Sequence, residues 1–288
     1  MCHFKGSFTN SSIYLYALDP QGASFKMRRQ EEFMSGILPT DVDFGPDSRL
    51  YFSDWGNGWA KSRKGRLYAL TNEATIGDPL IKETQRLLAD GMKGRTDAEL
   101  FALIGHQDQR VRLEAQYALA AKGAAAIPLL TQIAAHHYRQ LARIHAIWAL
   151  GQVGHNHPEA FRPILPLLAD SDAEVRAQSA KVLVDGHIAA AYEPLLAALK
   201  DSSSRVRFFA AQSLGKLARK ESTPALIELI RENADHDLYL RHAGVMGLVG
   251  SKNLSALETA ASDPSRSVRL GVLLAYRRLN RPEIAGFL

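Results

Sequence analysis

Val111-Arg-Leu-Glu-Ala-Gln-Tyr-Ala-Leu119 is the stretch on which the fold turns. Its positions 111, 115, 118 and 119 fall on one face of a helix, and two of them are alanines, small enough to let a second helix approach closely. The pattern returns along the chain. Arg112, Arg143, Arg176, Arg207, Arg241 and Arg269 each follow an apolar or small residue (Val111, Ala142, Val175, Val206, Leu240, Val268), at spacings of 31, 33, 31, 34 and 28 residues. Three positions after each arginine stand Ala115, Ala146, Ser179, Ala210, Gly244 and Val272, and six positions after stand Ala118, Ala149, Val182, Ser213, Gly247 and Ala275. Leu119, Leu150, Leu183, Leu214 and Leu248 come next, with Tyr276 as the sixth.

Each unit breaks at a glycine or polar turn (Gly123, Gly154, Gly186, Lys220, Gly250) and resumes in a second apolar stretch such as Ile127-Pro-Leu-Leu130, Ile164-Leu-Pro-Leu-Leu168 or Tyr192-Glu-Pro-Leu-Leu196. A proline near the start of that stretch suits the first helical turn, where its missing N–H leaves no bond unmade. The unit therefore reads helix, turn, helix. The expected fold is mainly α, a right-handed α-solenoid of about six repeats over residues 97–288, with the last repeat cut short.

Residues 1–72 have β character instead. Ser12–Ala17, Ser24–Arg28, Pro39–Phe44, Arg49–Asp54 and Gly65–Leu70 read as short strands, separated by turn signals at Asp19-Pro-Gln-Gly22, Gly45-Pro-Asp47 and Gly56-Asn-Gly58. They amount to one four-stranded antiparallel unit plus a neighbouring strand. Residues 73–96 form a linker with a helix over Leu80–Ala89, and Thr96-Asp-Ala-Glu99 is a capping box that opens the helical array.

Composition narrows the function classes. A chain of 288 residues with 46% hydrophobic content buries a sizeable core. The net charge of +5 divides as +1 before Glu99 and +4 from there on, and the densest basic run, Lys61-Ser-Arg-Lys-Gly-Arg66, is no nucleic-acid arm. The one cysteine, Cys2, supports neither a disulfide framework nor a CxxCH haem attachment. No window approaches the roughly 18 uncharged apolar residues of a membrane span, and no signal peptide is read. Neither GxSxG nor a glycine-rich phosphate loop occurs.

The pattern V-R-x-x-A-x-x-A-L, with an aspartate four residues before the arginine at Asp108, Asp172 and Asp237, resembles the short HEAT repeat of the bilin-lyase type. Arg139, Ser203 and Ser265 replace that aspartate in the other repeats, so no regular Asp/Arg ladder is expected there. The upstream part, Ile37 to Trp59 followed by Lys64-Gly-Arg-Leu-Tyr68, resembles a blade of glucose/sorbosone-dehydrogenase-like β-propellers. The order of parts is similar to bacterial membrane-bound dehydrogenases, in which a propeller leads through a helical linker into HEAT repeats and a c-type cytochrome domain. The resemblance implies a partial blade over 1–72 and a periplasmic or exported location. For a parent enzyme it implies pyrroloquinoline quinone, calcium or haem c. With material for little more than one blade, both ends of the chain read as cut.

Asp41, Asp43 and Asp54 are the candidate cofactor-binding residues, since hard cations take oxygen ligands; the alternative places them at strand ends and on a solvated strand face. His136, His137, His145, His155 and His157 cluster in sequence without a metal-ligand spacing, so no metal site is expected. The six arginines are expected in the first turns of their helices, paired with the acidic cap or with the adjacent repeat. Trp55, Trp59 and Trp148 are expected to anchor packing. No residue is assigned a catalytic role and no cofactor is expected for this chain alone. The first functional reading is a non-catalytic interaction module that holds a protein partner on a concave face lined by the second helices. The alternative is a fragment of a quinone- or haem-linked sugar or alcohol dehydrogenase. Unpaired blade edges also invite self-association.

Overall fold

The computed structural model describes residues 11–56 and 64–287 and forms two compact units, the first extending to Lys93 without Gly22–Ser24, and the second made of Gly22–Ser24 and the chain from Gly94 onward. Cys2, Gly58, Trp59, Lys61 and Arg63 lie outside the described residues. The first unit holds five strands, β1 (Ser11–Gln21), β2 (Ser24–Ile37), β3 (Pro39–Phe44), β4 (Leu50–Asp54) and β5 (Arg66–Leu70), followed by α1 (Pro79–Asp90). The strands do not make one four-stranded unit. β1 and β2 pair as a two-stranded ribbon, while β3, β4 and β5 form a separate antiparallel sheet in that order. β2 runs nine residues past the expected end at Arg28, because the polar stretch after it continues in extended backbone.

β3 and β4 pair antiparallel around the expected turn, with Val42 opposite Phe52 and Asp43 opposite Tyr51. The Gly45 amide donates to the Arg49 carbonyl at 2.9 Å, and Ser48 takes a positive φ of 60° to close the turn. Phe52 is buried and stacks on Tyr68 of β5 with ring centroids 5.0 Å apart. α1 is capped by Asp78, begins at a proline and buries Ile81, Thr84 and Leu87.

The second unit is a helical repeat solenoid. It opens at α2 (Asp97–Leu103), where the capping box between Thr96 and Glu99 forms in both directions. The arginine helices follow as α3 (Gln109–Ala121), α5 (Gln140–Gly154), α6 (Ala173–Leu183), α8 (Ser204–Leu217), α10 (Leu238–Ser251) and α12 (Arg266–Arg278). Between them lie the second helices α4 (Ile127–His136), α7 (Tyr192–Ala198), α9 (Thr223–Asn233) and α11 (Leu254–Ala260). In the second repeat that place is taken by a 3₁₀ segment, Pro158–Ala169, because Pro163 and Pro166 remove amide donors that an α-helix needs.

The repeating positions are the core. Val111, Ala142, Val175 and Val206 are sealed from solvent, as are Ala115, Ala146, Ser179 and Ala210 three residues after the arginines, and the leucines at 119, 150, 183, 214 and 248. One of the expected breaks, Gly250, is not a break. Gly154 ends α5 against the Phe161 ring, and Gly250 lies inside α10, where a Cβ would stand 2.0 Å from the Gly215 carbonyl oxygen of α8. The two backbones meet there with no room for a methyl group, and the chain turns two residues later at Lys252, in left-handed conformation.

The aspartates four residues before the arginines are helix N-caps, and they are not the arginines' partners. Asp108 accepts from the Arg110 amide and side chain, Asp172 from the Glu174 and Val175 amides, and Asp237 from the Tyr239 and Leu240 amides. The repeat arginines turn elsewhere. Arg112, Arg176 and Arg269 donate through Nη1 to the carbonyls five and six residues upstream, closing the loop that enters the helix. Arg143 also pairs with Asp170, and Arg176 grips Asp201 through Nε at 2.7 Å and Nη2 at 2.9 Å.

Asp170 and Asp201 each lie six residues before the next arginine, so the ion pair crosses from one repeat to its successor. His106, His137, Asp170, Asp201, Asp235 and Asp263 occupy that position in the six repeats, and all but Asp235 accept the amide two residues on. Burial alone would raise the Asp201 carboxyl, but the Arg176 hydrogen bonds, the Ser203 amide and the charges of Arg176 and Arg207 hold it below its ordinary range. Asp201→Ala, which strands a largely buried guanidinium, is therefore expected to cost about 2–4 kcal/mol. Asp172→Ala, which removes one cap and an exposed hydrogen bond from Gln140, should cost only about 1–1.5 kcal/mol. Urea denaturation of both variants measures the difference, and equal losses would mean the inter-repeat pair adds nothing beyond a cap.

Candidate functional site

The three candidate aspartates do not converge. Side chains alternate across a sheet, so Asp41 and Asp43, opposite Ser53 and Tyr51, share one face, while Asp54 follows Phe52 onto the other. Asp41 and Asp43 are exposed. Asp54 is buried and occupied, accepting from the Leu38 amide at 3.0 Å and the Gly56 amide at 3.1 Å, with Arg66 at 3.7 Å. It ties the ends of β3 and β4 together. Asp47 belongs to the turn, accepting from the Tyr51 hydroxyl at 2.8 Å.

The histidines separate in the same way. His136 and His155 are exposed, and His157 lies beside Glu159 at 3.6 Å. His137 is buried between Phe101 and Tyr138 and accepts the Arg139 amide. Among the described residues no three His, Cys, Asp or Glu side chains are grouped to hold a metal ion.

The arginine helices carry a more developed arrangement. His145 of α5 is 4% exposed and sits between two residues of α3: Arg112 Nε approaches its Nε2 at 3.3 Å, and Gln116 Oε1 lies 2.7 Å from its Nδ1. With Arg112 donating to Nε2, the ring is neutral with its proton on Nδ1, given to Gln116. The Trp148 ring packs edge-on to His145 at 5.1 Å, and its indole N–H donates to Gln178 Oε1 of α6 at 3.0 Å. Gln178 in turn donates to Glu174, which also accepts from Arg205 Nε of α8 at 2.7 Å, and the Arg205 guanidinium lies 5.1 Å over the Phe209 ring. One polar relay thus spans four consecutive repeats.

The relay sits beneath an exposed ridge. Tyr117, Trp148, Lys181, Gln212, Met246 and Leu274 occupy the same position, five residues after the arginine, in the six arginine helices. Tyr117 is 47% exposed, Trp148 is half-buried and Lys181 is exposed. Sequence reading placed Trp148 in the packing of the second repeat but passed over Gln116, Gln178 and Glu174. Glu174 and Gln178, four residues apart, share one helix face and could have been read together, whereas Gln116, four residues after its own arginine, falls on the opposite face.

Burial, and then the charge of Arg112, push the His145 imidazole down from its ordinary value to about 4. Between about 4 and the ordinary 6.5 the unfolded chain binds a proton that the folded chain refuses. The stabilisation is complete above the ordinary value and drains away as pH falls toward 4, by roughly 2–3 kcal/mol in total. Urea denaturation at a series of pH values reads this slope, and His145→Gln should flatten it; an unchanged slope in the variant would place the titration elsewhere.

Comparison with known proteins agrees with this architecture. The family model described as HEAT repeats matches residues 97–184 and again 161–248. No curated protein matches the chain. Among solved structures, the chain is similar to YibA of Escherichia coli at 18% identity, with 67% of this chain and 74% of that chain covered and a TM-score of 0.47. A designed armadillo repeat protein in complex with the peptide (KR)4 is 18% identical over 64% of this chain and 99% of that one, with a TM-score of 0.38. The complex of CpcE and CpcF of phycocyanin lyase from Nostoc sp. PCC7120 is 25% identical over 62% of this chain and 96% of that one, at 0.33. With both matches lying on the arginine helices and their partners, the chain belongs to the HEAT-repeat family.

Proposed function

We propose that this protein is an interaction module that holds a protein partner against the face formed by its arginine helices. The observation that carries this reading is the difference in spacing between the two helix layers. Neighbouring arginine helices lie against one another along their lengths, down to the backbone contact of Gly215 with Gly250, whereas consecutive second helices touch only locally. In a curved stack the tighter layer is the inner one, which supports reading the concave face as that of the arginine helices in place of the second helices. Its ridge of Tyr117, Trp148 and Phe209, interleaved with Lys181 and Arg205, has the aromatic and arginine character of interface anchors. The mechanism is surface complementarity on a rigid scaffold, without bond chemistry. A photo-crosslinking residue placed at Lys181 or Gln212 in the full chain should give the same adduct in a native host extract. The same residue at Gln132 or Glu193, exposed on the second helices, should give none. Adducts from the second helices, or from neither face, would sink the assignment.

A second reading takes support from the antiparallel order β3-β4-β5, the meander of a propeller blade. In it the chain carries part of a dehydrogenase that uses calcium and pyrroloquinoline quinone, with Asp41, Asp43 and Asp54 as contacts. The placement of these residues on two faces of the sheet weighs against it. Titration calorimetry with calcium and pyrroloquinoline quinone is expected to show no saturable heat, and stoichiometric binding would restore the enzyme reading.

A further inference from the structure

Between α10 and α12 the arginine-helix face opens into a cleft of about 610 Å³. Leu238, Val245 and Leu274 give it an aliphatic floor, and Arg241, Arg277 and Arg278 stand around it. His242 and Asn280 complete the lining, and among the described residues no carboxylate is part of it. The cations differ in how far they are already satisfied. Arg241 reaches Asp235 at 3.2 Å, and that carboxylate also accepts the Ser267 hydroxyl at 3.0 Å. Arg277 and Arg278 are exposed and have no ion pair or side-chain hydrogen bond among the described residues. Cations in the last turn of a helix offset its C-terminal partial charge, but a location near the helix end does not require both guanidiniums to border an apolar floor.

We infer that this cleft binds an acidic peptide segment of the partner, with a leucine-sized side chain on the aliphatic floor and flanking carboxylates on Arg277 and Arg278. The inference rests on the interaction-module reading above and names the chemistry of the partner. Two features select a peptide. The guanidiniums are planar forks suited to carboxylates, and charge complementarity is unmet on the protein's own side. A free phosphate or a nucleic-acid backbone would answer the arginines but leave Leu238, Val245 and Leu274 uncovered. The cleft volume exceeds that of one side chain and accommodates a short stretch of main chain with it.

Fluorescence anisotropy of the full chain tests this with a labelled peptide alternating glutamate and leucine. A polyglutamate peptide of the same length, a lysine–leucine peptide and a short polythymidine oligonucleotide are the comparisons. The glutamate–leucine peptide should bind saturably and the lysine–leucine peptide should not, while polyglutamate and the oligonucleotide should bind more weakly by roughly tenfold. The double variant Arg277→Glu/Arg278→Glu should lose affinity by roughly tenfold or more, and Arg277→Gln/Arg278→Gln, which removes the charges without reversing them, should fall between it and the parent chain. Both side chains are exposed, so the helical circular dichroism of these variants should match the parent, and the melting temperature should fall only slightly through the loss of two charges that offset the helix end. Equal binding of polyglutamate or of the oligonucleotide, or an affinity unchanged by charge reversal, overturns the inference. Crosslinking at Lys181 and Gln212 reports on the wider face independently, so loss of the acidic-peptide assignment with retained crosslinks leaves the face assignment standing.

Discussion

The close approach of neighbouring arginine helices is the constraint on which the second unit depends. A single helix pair of this length cannot bury its own apolar faces, and stability comes only when each pair covers the next. Alanine, serine and glycine at most of the third and sixth positions after the arginine, with valine only at 182 and 272, permit that covering, because long side chains there would hold the helices apart. The limit is reached between α8 and α10, where glycine meets glycine and a single added methyl group would collide with a carbonyl. Close packing of this kind fixes the angle between repeats, since backbone contacts cannot slide as long side chains can.

Polar groups are placed within this packing so that two of its buried guanidiniums are answered from both sides. Arg143 and Arg176 are largely withdrawn from water, and each is answered both by upstream carbonyls and by a carboxylate of the following repeat. That makes the ion pair a connector between units in place of a decoration within one. The His145 bridge between α3 and α5 does similar work with a neutral ring, and its geometry orients Trp148 toward the exposed ridge. The structural polar network and the candidate binding ridge are therefore layers of the same helices: the buried side holds the register and the outer side presents aromatic and basic groups at a repeat spacing. A surface built this way is stiff, which reduces the ordering cost of holding a partner.

The first unit follows a different logic. Its sheets are small, and several large apolar side chains are exposed, among them Phe44 and Leu67 on the three-stranded sheet and Leu18, Phe25 and Met27 on the ribbon. Asp54 shows how an acidic residue can look functional in sequence and be consumed by structure, its carboxylate being spent on the amides that close the end of the β3–β4 pair. The polar face of Asp41 and Asp43 is left to solvent.

The repeat, its helical period and its buried positions were legible in the order of amino acids, because a solenoid repeats one local interaction and the spacing of small and apolar residues records it directly. Turn chemistry determined the β3–β4 turn and the capping box at Thr96 in the same local way. Other features depended on residues distant in sequence. Which carboxylate Arg143 and Arg176 grip was decided by where the next repeat's loop arrives, so Asp170 and Asp201, six residues before the following arginines, carried the contact while the more conspicuous aspartates at four residues served as caps. The division of the strands into two sheets, the separation of the three aspartates onto opposite faces, and the meeting of Arg241, Arg277 and Arg278 around one cleft were likewise tertiary decisions. Side-chain chemistry is written in the chain, but the direction in which it points is set by the packing of its neighbours.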